Sequence, residues 1–189
     1  MNDNSIVGNV IQAWLKSFMQ MNDIYYRLVD NTQEFPDFYL DEALNDKYLL
    51  EVKCFTNSAN FDVANFLAYC RSINEKPYRL NADYLIFEYD TSDNGIIISK
   101  IWLKKVWEIC GASERSAIKI QWKQVQPYNI RPANWYGTSK IQYPPFNSRL
   151  EFVKALQAVL NTHQSADSLR KNFLNNVADL FKKQTNEDL

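Results

Sequence analysis

A Pro-Asp pair followed by an acidic residue and a lysine inside an apolar run constrains this chain more than any other feature. Thirteen residues separate Asp37 of the pair Pro36-Asp37 from Glu51, which lies in the run Tyr48-Leu49-Leu50-Glu51-Val52-Lys53. Because side chains on a strand alternate between its two faces, Glu51 and Lys53 are expected on one face, with their apolar neighbours turned toward a core. The pattern predicts two neighbouring strands, residues 36–42 and 48–56, joined by a turn at Asn45-Asp46.

Two carboxylates and a lysine gathered in this way are the groups that a metal-dependent phosphodiesterase needs. Asp37 and Glu51 offer the hard oxygen ligands that Mg²⁺ prefers. Lys53 can orient or polarise the attacking water beside the phosphate that is cut. The simpler interpretation, a turn proline followed by an ordinary solvated strand face, stays open at this point.

This arrangement resembles the PD-(D/E)xK nuclease superfamily, whose best-populated branch is the type II restriction endonucleases. The matching residues are Pro36, Asp37, Glu51 and Lys53. The resemblance implies a Mg²⁺ site at Asp37 and Glu51 that the backbone carbonyl of Val52 completes. A second resemblance, to a small NgoBV-like group of restriction enzymes, is carried by three segments: Trp107-Glu108-Ile109, Asn129-Ile130-Arg131-Pro132 and Arg149-Leu150-Glu151-Phe152.

Hydrophobic periodicity predicts an α/β fold with a mixed sheet flanked by helices, which is the restriction-endonuclease-like core that the resemblance implies. The expected helices are residues 5–22, 60–74, 104–109, 149–160 and 167–181, and the expected strands are 36–42, 48–56, 82–89, 96–102 and 118–123. Residues 128–145 are expected to form a loop. The apolar stripe of the opening helix is interpreted as core: Ile6, Val7, Val10, Ile11, Trp14, Leu15 and Phe18.

The length of 189 residues predicts a single domain, with residues 182–189 as a frayed tail. Cys54, Cys70 and Cys110 are odd in number and lie in apolar surroundings, so they are expected to be reduced core thiols. No apolar stretch approaches the length of a membrane span, which predicts a cytoplasmic protein without a membrane partner.

Charge is unevenly distributed along the chain, although the net charge is only −1. From Trp102 to Arg149 eight basic residues face two acidic ones, an excess of six, whereas the segment through Asp46 holds eight acidic residues and two basic ones. A basic half beside an acidic half suits an enzyme that grips phosphate with one region and cuts with another. A random fluctuation in a neutral protein is the alternative.

Residues 103–150 are therefore the expected DNA-recognition part. Amide and basic side chains of the kind that read base edges or hold phosphate are concentrated there. The candidates for DNA contact are Lys119, Gln121, Lys123, Gln124, Gln126, Asn129 and Arg131. A solvated strand edge would carry a similar composition.

The sequence lacks the residues that several other catalytic and phosphate-binding mechanisms require. The single histidine, His163, is expected at the surface near a helix end, so histidine-based hydrolysis has no base. The four glycines form no phosphate-cradling cluster.

Together these observations predict a type II site-specific deoxyribonuclease that hydrolyses double-stranded DNA with Mg²⁺, acting as a homodimer. A repair, junction or nicking nuclease of the same fold, or one subunit of a heterodimeric cutter, is an alternative. A catalytically silent DNA-binding module is another.

Overall fold

The computed structural model of the protein describes residues 4–29, 35–43, 47–93, 95–136, 141–163 and 167–189. The helices are α1 (Asn4–Met21), α2 (Phe66–Glu75), α3 (Arg149–Thr162), α4 (Asp167–Arg170) and α5 (Phe173–Thr185), with 3-10 turns at Pro77–Asn81 and Val106–Glu108. The strands are β1 (Phe38–Tyr39), β2 (Leu49–Phe55), β3 (Ala64–Asn65), β4 (Asp83–Ser92), β5 (Gly95–Lys105), β6 (Ile120–Lys123) and β7 (Gln126–Ile130).

Contacts divide the chain into two compact units. The first comprises Met1–Ala59 with Asn81–Lys104, and the second comprises Asn60–Leu80 with Lys105–Leu189. The expectation of one endonuclease domain over residues 1–189 stays a prediction.

A four-stranded mixed sheet in the order β1-β2-β4-β5 organises the first unit. β1 pairs with β2 antiparallel, while β2 pairs with β4 parallel, from Leu50 opposite Asp83 to Phe55 opposite Glu88. The predicted mixed sheet flanked by helices is therefore confirmed. β2 and β4 were predictable because both are nearly continuous apolar runs, which is typical of strands covered on both faces.

Helix α1 covers one face of this sheet. Ile11, Leu15 and Met19 pack against Leu50 and Val52 in one buried cluster, which Phe38, Phe87 and Tyr89 complete. The face predicted for Leu50 and Val52 is thereby confirmed.

The prediction that the whole apolar stripe of α1 is core is wrong for its other half. Val10, Trp14 and Phe18 are exposed, as is Ile6. The stripe is wider than one helical face, and the sheet covers only the edge that carries Ile11 and Leu15.

In the second unit, a three-stranded antiparallel sheet in the order β3-β7-β6 lies with α2 through α5. The expected loop over residues 128–145 is wrong at its start, since β7 continues to Ile130 and pairs with both neighbours. Polar residues and Pro127 hide this strand from hydrophobic periodicity. Pro127 is accommodated opposite Trp122, where the register of β6 shifts.

Helix boundaries were predicted less well than helix positions. The helix expected over residues 60–74 begins only at Phe66, where the side chain of Asn65 caps the N–H of Ala68. Ser148 caps α3 by accepting from the N–H of Glu151 at 3.2 Å, so this helix begins at Arg149, where it was expected. The last expected helix is divided into α4 and α5, and α5 continues into the segment expected to be frayed.

The predicted turn at Asn45-Asp46 lies outside the described residues. The prediction of a surface histidine is wrong: His163 ends α3, but only 9% of it is exposed. Cys70 and Cys110 are buried free thiols and Cys54 is partly buried, which confirms the expected reduced cysteines.

Candidate active site

The pairing of β1 with β2 brings Asp37 beside Glu51. Phe38 lies opposite Leu50 and Tyr39 opposite Leu49, so the residue that precedes β1 falls next to Glu51. The N–H of Asp37 donates to Glu51 Oε2 at 3.3 Å, which joins the two residues across the strand pair. Strand pairing alone therefore brings together two acidic residues that are distant in sequence.

Two donors hold the carboxylate of Asp37. The backbone N–H of Val52 donates to Oδ2 at 2.7 Å, and the side-chain amide of Gln12 donates to Oδ1 at 2.8 Å. Each carboxylate oxygen keeps acceptor capacity beyond its one bond. Asp37 is thus fixed in orientation without being saturated.

Lys53 is the charge partner of Glu51. Its Nζ lies 2.8 Å from Glu51 Oε1, and the lysine side chain is 21% exposed while that of Glu51 is 11% exposed. The two residues are separated by one position on β2, so strand alternation places them on one face, as predicted. The structure therefore unites the three predicted residues Asp37, Glu51 and Lys53.

Burial raises the pKa of both carboxyl groups. For Asp37 it outweighs the opposing effects of the Val52 N–H and of the Lys53 charge. For Glu51 burial is again the main cause, Lys53 opposes it, and the negative charge of Asp37 adds to the rise. Asp37 and Glu51 thus share one lysine, which does not fully neutralise their two negative charges. A bound cation would reduce the repulsion between them.

The donor set at this point fits a magnesium ion. Within the described ranges no group of three His, Cys, Asp or Glu side chains converges on one point. Mg²⁺ is commonly held by one or two carboxylates, with water and substrate phosphate as its remaining ligands. Asp37 and Glu51 provide that number, and their mutual repulsion is the electrostatic feature that a divalent cation would offset.

Asp41, four residues after Asp37, is also acidic but makes different contacts. β1 ends at Tyr39, and the carboxylate of Asp41 accepts from the N–H groups of Ala43 at 2.9 Å and Lys47 at 3.4 Å. Asp41 therefore stabilises the chain after β1.

Sequence reasoning missed Gln12. It follows the buried Ile11 on α1, and a glutamine beside an apolar stripe looks like any solvated helix residue. Only the tertiary contact with Asp37 distinguishes it.

The candidate DNA-contacting residues lie on or beside the β6–β7 hairpin of the second unit. Gln121 and Lys123 are on β6, Gln124 is at the turn with a φ of 56°, and Gln126 begins β7. These four residues are exposed. Lys123 Nζ lies 3.5 Å from the centre of the Tyr128 ring, a cation–π contact that holds the charge at the hairpin.

The remaining three candidates are engaged within the protein. Asn129 is 8% exposed, Lys119 donates to the carbonyl of Pro132 at 3.0 Å, and Arg131 pairs with Asp62 and donates to Asn60. The hairpin turn and the exposed positions of its strands are thus the accessible part of the predicted set.

Known proteins resemble this chain over most of its length. A model of the NgoBV restriction endonuclease family matches residues 1–189. The type II restriction enzyme NlaIV of Neisseria lactamica is 36% identical over 187 residues, which cover 97% of this chain and 77% of that protein. The type II restriction enzyme NgoBV of Neisseria gonorrhoeae is 35% identical over 137 residues, covering 71% of this chain and 77% of that protein.

A solved structure agrees with these sequence matches. The NlaIV restriction endonuclease superposes on this protein with a TM-score of 0.91 at 36% identity, covering 98% of this chain and 76% of that one.

Proposed function

The chain belongs to the NgoBV restriction endonuclease family, and from this premise we propose that it cuts double-stranded DNA with Mg²⁺ at Asp37, Glu51 and Lys53. Family membership makes it a type II restriction endonuclease, which cleaves DNA at specific sites. The observation that supports the proposed site is that the partly buried Asp37 and the buried Glu51 are joined through the Asp37 N–H, with Lys53 beside Glu51.

Asp37 and Glu51 are the proposed side-chain ligands, and the carbonyl of Val52 is the third. The N–H of Val52 donates to Asp37. Because the N–H and C=O of one strand residue point to the same neighbouring strand, the Val52 carbonyl is expected to face the side on which Asp37 lies. Gln12 holds Asp37 from the helix side and so fixes the direction of its carboxylate.

A phosphodiester resists hydrolysis because a nucleophile must approach an anion and an alkoxide must leave. When bound, Mg²⁺ polarises the phosphate, lowers the pKa of water and stabilises the leaving oxygen. Lys53 adds positive charge beside the same phosphate, where negative charge grows in the transition state. Its pairing with Glu51 holds the ammonium group at the carboxylate pair before DNA arrives.

The β6–β7 hairpin is the proposed DNA-contacting element. Lys123 supplies charge for phosphate, and the exposed amides of Gln121, Gln124 and Gln126 supply paired donors and acceptors for base edges. Asn129 and Arg131 are proposed to support the hairpin from within, through burial and through the contacts of Arg131 with Asp62 and Asn60.

A homodimer would place one active site on each DNA strand, and its two-fold symmetry would match a palindromic target.

None of the helices in the described part of the chain has the length and apolar character needed to cross a bilayer. The proposed place of action is the cytoplasm, where such DNA is encountered.

Incubation of plasmid DNA with the protein in Mg²⁺ or in EDTA tests the function. Discrete bands that form only with Mg²⁺ support the proposal. A smear or relaxed circles would indicate a less specific or nicking nuclease, and a mobility shift without cutting would indicate a binding module. Cleavage of equal extent in EDTA would contradict the metal-dependent mechanism.

A further inference from the structure

A pocket of about 350 Å³ lies in the second unit, at the end of the β6–β7 hairpin that is opposite its turn. Lys119, which precedes β6, is among its lining residues, as are Ala133 and Asn134, which follow β7. Ligand pockets in proteins measure about 300–1,000 Å³, so this one is at the small end of that range. Its size suits a ligand with one ring system.

Backbone contacts hold together the chain segments that form the pocket. The N–H of Lys119 donates to the carbonyl of Gly111 at 2.8 Å, and Gly111 also forms a bridge with Pro145. A side chain at Gly111 would collide with the carbonyl of Pro144, which directly follows the lining residue Tyr143. Because these segments pack so closely, the pocket is already formed before a ligand binds.

The walls of the pocket are largely apolar and aromatic. Ala112, Ala133 and Ile141 contribute apolar surface, and Tyr143 contributes a ring. Enzymes that take a base out of the double helix hold it by stacking between aromatic and apolar side chains. The walls are therefore of the kind that can hold a flat heterocycle.

Polar groups in the same lining suit the edge of a base. The amides of Asn134 and Gln142 each provide a donor and an acceptor, and the carboxylate of Glu114 provides acceptors. Base edges carry the complementary donors and acceptors. Among the described lining residues Glu114 is the anion and Lys119 the cation, so their charges cancel and favour a neutral base over an isolated anion.

Lys119 is placed to hold the backbone of the nucleotide whose base is bound. Its Nζ donates to the carbonyl of Pro132 at 3.0 Å, which fixes the ammonium group without neutralising it. An ammonium group has three donors, so this bond leaves capacity for a phosphate oxygen.

The pocket belongs to the side of the hairpin that is proposed to contact DNA. The N–H of Arg131 donates to the carbonyl of Lys119 at 2.9 Å, which extends the pairing of β6 with β7 by one residue. Side chains two positions apart on a strand share a face, so Lys119 and the exposed Gln121 point to the same side. DNA that contacts Gln121 would therefore lie beside the pocket.

We propose that this pocket receives a nucleobase that is extruded from the DNA duplex. Stacking against the walls and hydrogen bonds to the polar lining replace the stacking and pairing that the base loses when it leaves the helix. The inference rests on the proposed function in one respect, because the DNA that the enzyme cuts supplies the base.

Duplexes that the full chain selects from a random-sequence library in Ca²⁺ are the probe, so the test does not require cleavage. An abasic nucleotide is placed opposite each base of the selected sequence in turn, and anisotropy gives the dissociation constant. Opposite the extruded base, the loss of pairing should lower the dissociation constant by about tenfold, because an unpaired base is easier to extrude. At every other position the same change should weaken binding or leave it unchanged.

Ala112→Trp is the variant that blocks the pocket, because Ala112 lines it and an indole there would fill the space. The tenfold gain should disappear in this variant. Ala117→Trp is the matched control, since it adds the same indole at an exposed position that is not among the described lining residues. The control should keep the gain, and the melting temperatures of both variants show that they fold.

Fluorescence of the wild-type complex gives a second result that depends on no variant. 2-Aminopurine, which fluoresces weakly while it is stacked in a duplex, replaces the base at the position that the abasic scan identifies. Its fluorescence should rise several-fold when the protein binds, and the same label one position away should not change.

Three results would each overturn the base pocket: no gain at any position of the scan, an equal gain in both variants, or no rise in fluorescence. Plasmid cleavage by a protein that gives these results would leave the proposed function intact. A gain and a fluorescence rise in a protein that cuts no DNA would support the pocket and contradict the proposed function.

Discussion

The side-chain amide of Gln12 lies 2.8 Å from Oδ1 of Asp37, so the first helix contacts the first carboxylate of the active site directly. The buried residues Ile11 and Leu15 anchor α1 to the sheet on either side of this contact. The orientation of Asp37 therefore depends on the packing of a helix as well as on β1.

Replacement of Gln12 by alanine should weaken Mg²⁺ binding without lowering the stability of the fold. Loss of one hydrogen bond to a charged group costs about 1.5–3 kcal/mol, which corresponds to a change of roughly 10- to 100-fold in the affinity for Mg²⁺. We expect the Mg²⁺ concentration needed for half-maximal cleavage to rise, while the melting temperature stays close to that of the wild type. Gln20→Ala is the control, because Gln20 is on the same helix and donates to Tyr26 at 2.9 Å instead. Equal Mg²⁺ dependence in both variants would show that Gln12 does not position Asp37.

Lys53→Ala should slow cleavage strongly and leave DNA binding intact. The ammonium group acts on the reacting phosphate, and loss of one such electrostatic contact costs about 10²- to 10³-fold in rate. Single-turnover cleavage gives the rate, and a mobility shift gives the affinity. Lys100→Ala is the control, because Lys100 also pairs with a glutamate, Glu88 on the neighbouring strand. This variant should cut DNA at the wild-type rate. Equal rates for the two variants would remove Lys53 from the mechanism.

The stability of the metal-free protein should depend on pH through Glu51. Burial chiefly, and also the charge of Asp37, raises its pKa above the ordinary 4.5, so the folded protein holds this proton more tightly than the unfolded chain does. The contribution of Glu51 to stability is therefore full below the ordinary pKa and is lost as pH rises through the folded value. Glu51→Gln removes this dependence.

Thermal melts in EDTA at several pH values check that sign. The stability of the wild type relative to Glu51→Gln should fall as pH rises from below 4.5 to neutrality. Added Mg²⁺ should stabilise the wild type and leave the variant unchanged, because a ligand stabilises only the state that binds it. If the stability of the wild type relative to Glu51→Gln rose with pH instead, it would contradict the raised pKa of Glu51.

Lys123→Ala should weaken DNA binding evenly across sequences. A lysine that contacts phosphate releases about one counterion, so its loss should reduce the salt slope of the binding constant by about one. Fluorescence anisotropy over a range of salt concentrations measures this slope. Lys154→Ala, an exposed lysine on α3, is the control. Unchanged slopes in both variants would move the DNA contact away from the β6–β7 hairpin.

The sequence predicted those parts of the fold that strong local signals specify. β2, β4 and β5 are apolar runs, and the spacing of Asp37, Glu51 and Lys53 needed only strand alternation and one antiparallel pairing to bring them together. Features that depend on tertiary contacts were not predictable. Three such features are the contact of Gln12, the burial of His163 and the strand at Gln126–Ile130. In the sequence these polar residues look like ordinary exposed positions, and only the tertiary structure distinguishes them.

The most direct test of the active site compares the cleavage rates of two variants over a range of Mg²⁺ concentrations. One variant changes the partly buried Asp37, and the other changes the buried Asp41, four residues further along the chain. Asp41→Asn keeps an oxygen that can accept from the N–H of Ala43 and should cut DNA with the wild-type Mg²⁺ dependence. Asp37→Asn loses a metal ligand and should give no cleavage at any Mg²⁺ concentration while it still binds DNA. Wild-type cleavage by Asp37→Asn would contradict the account.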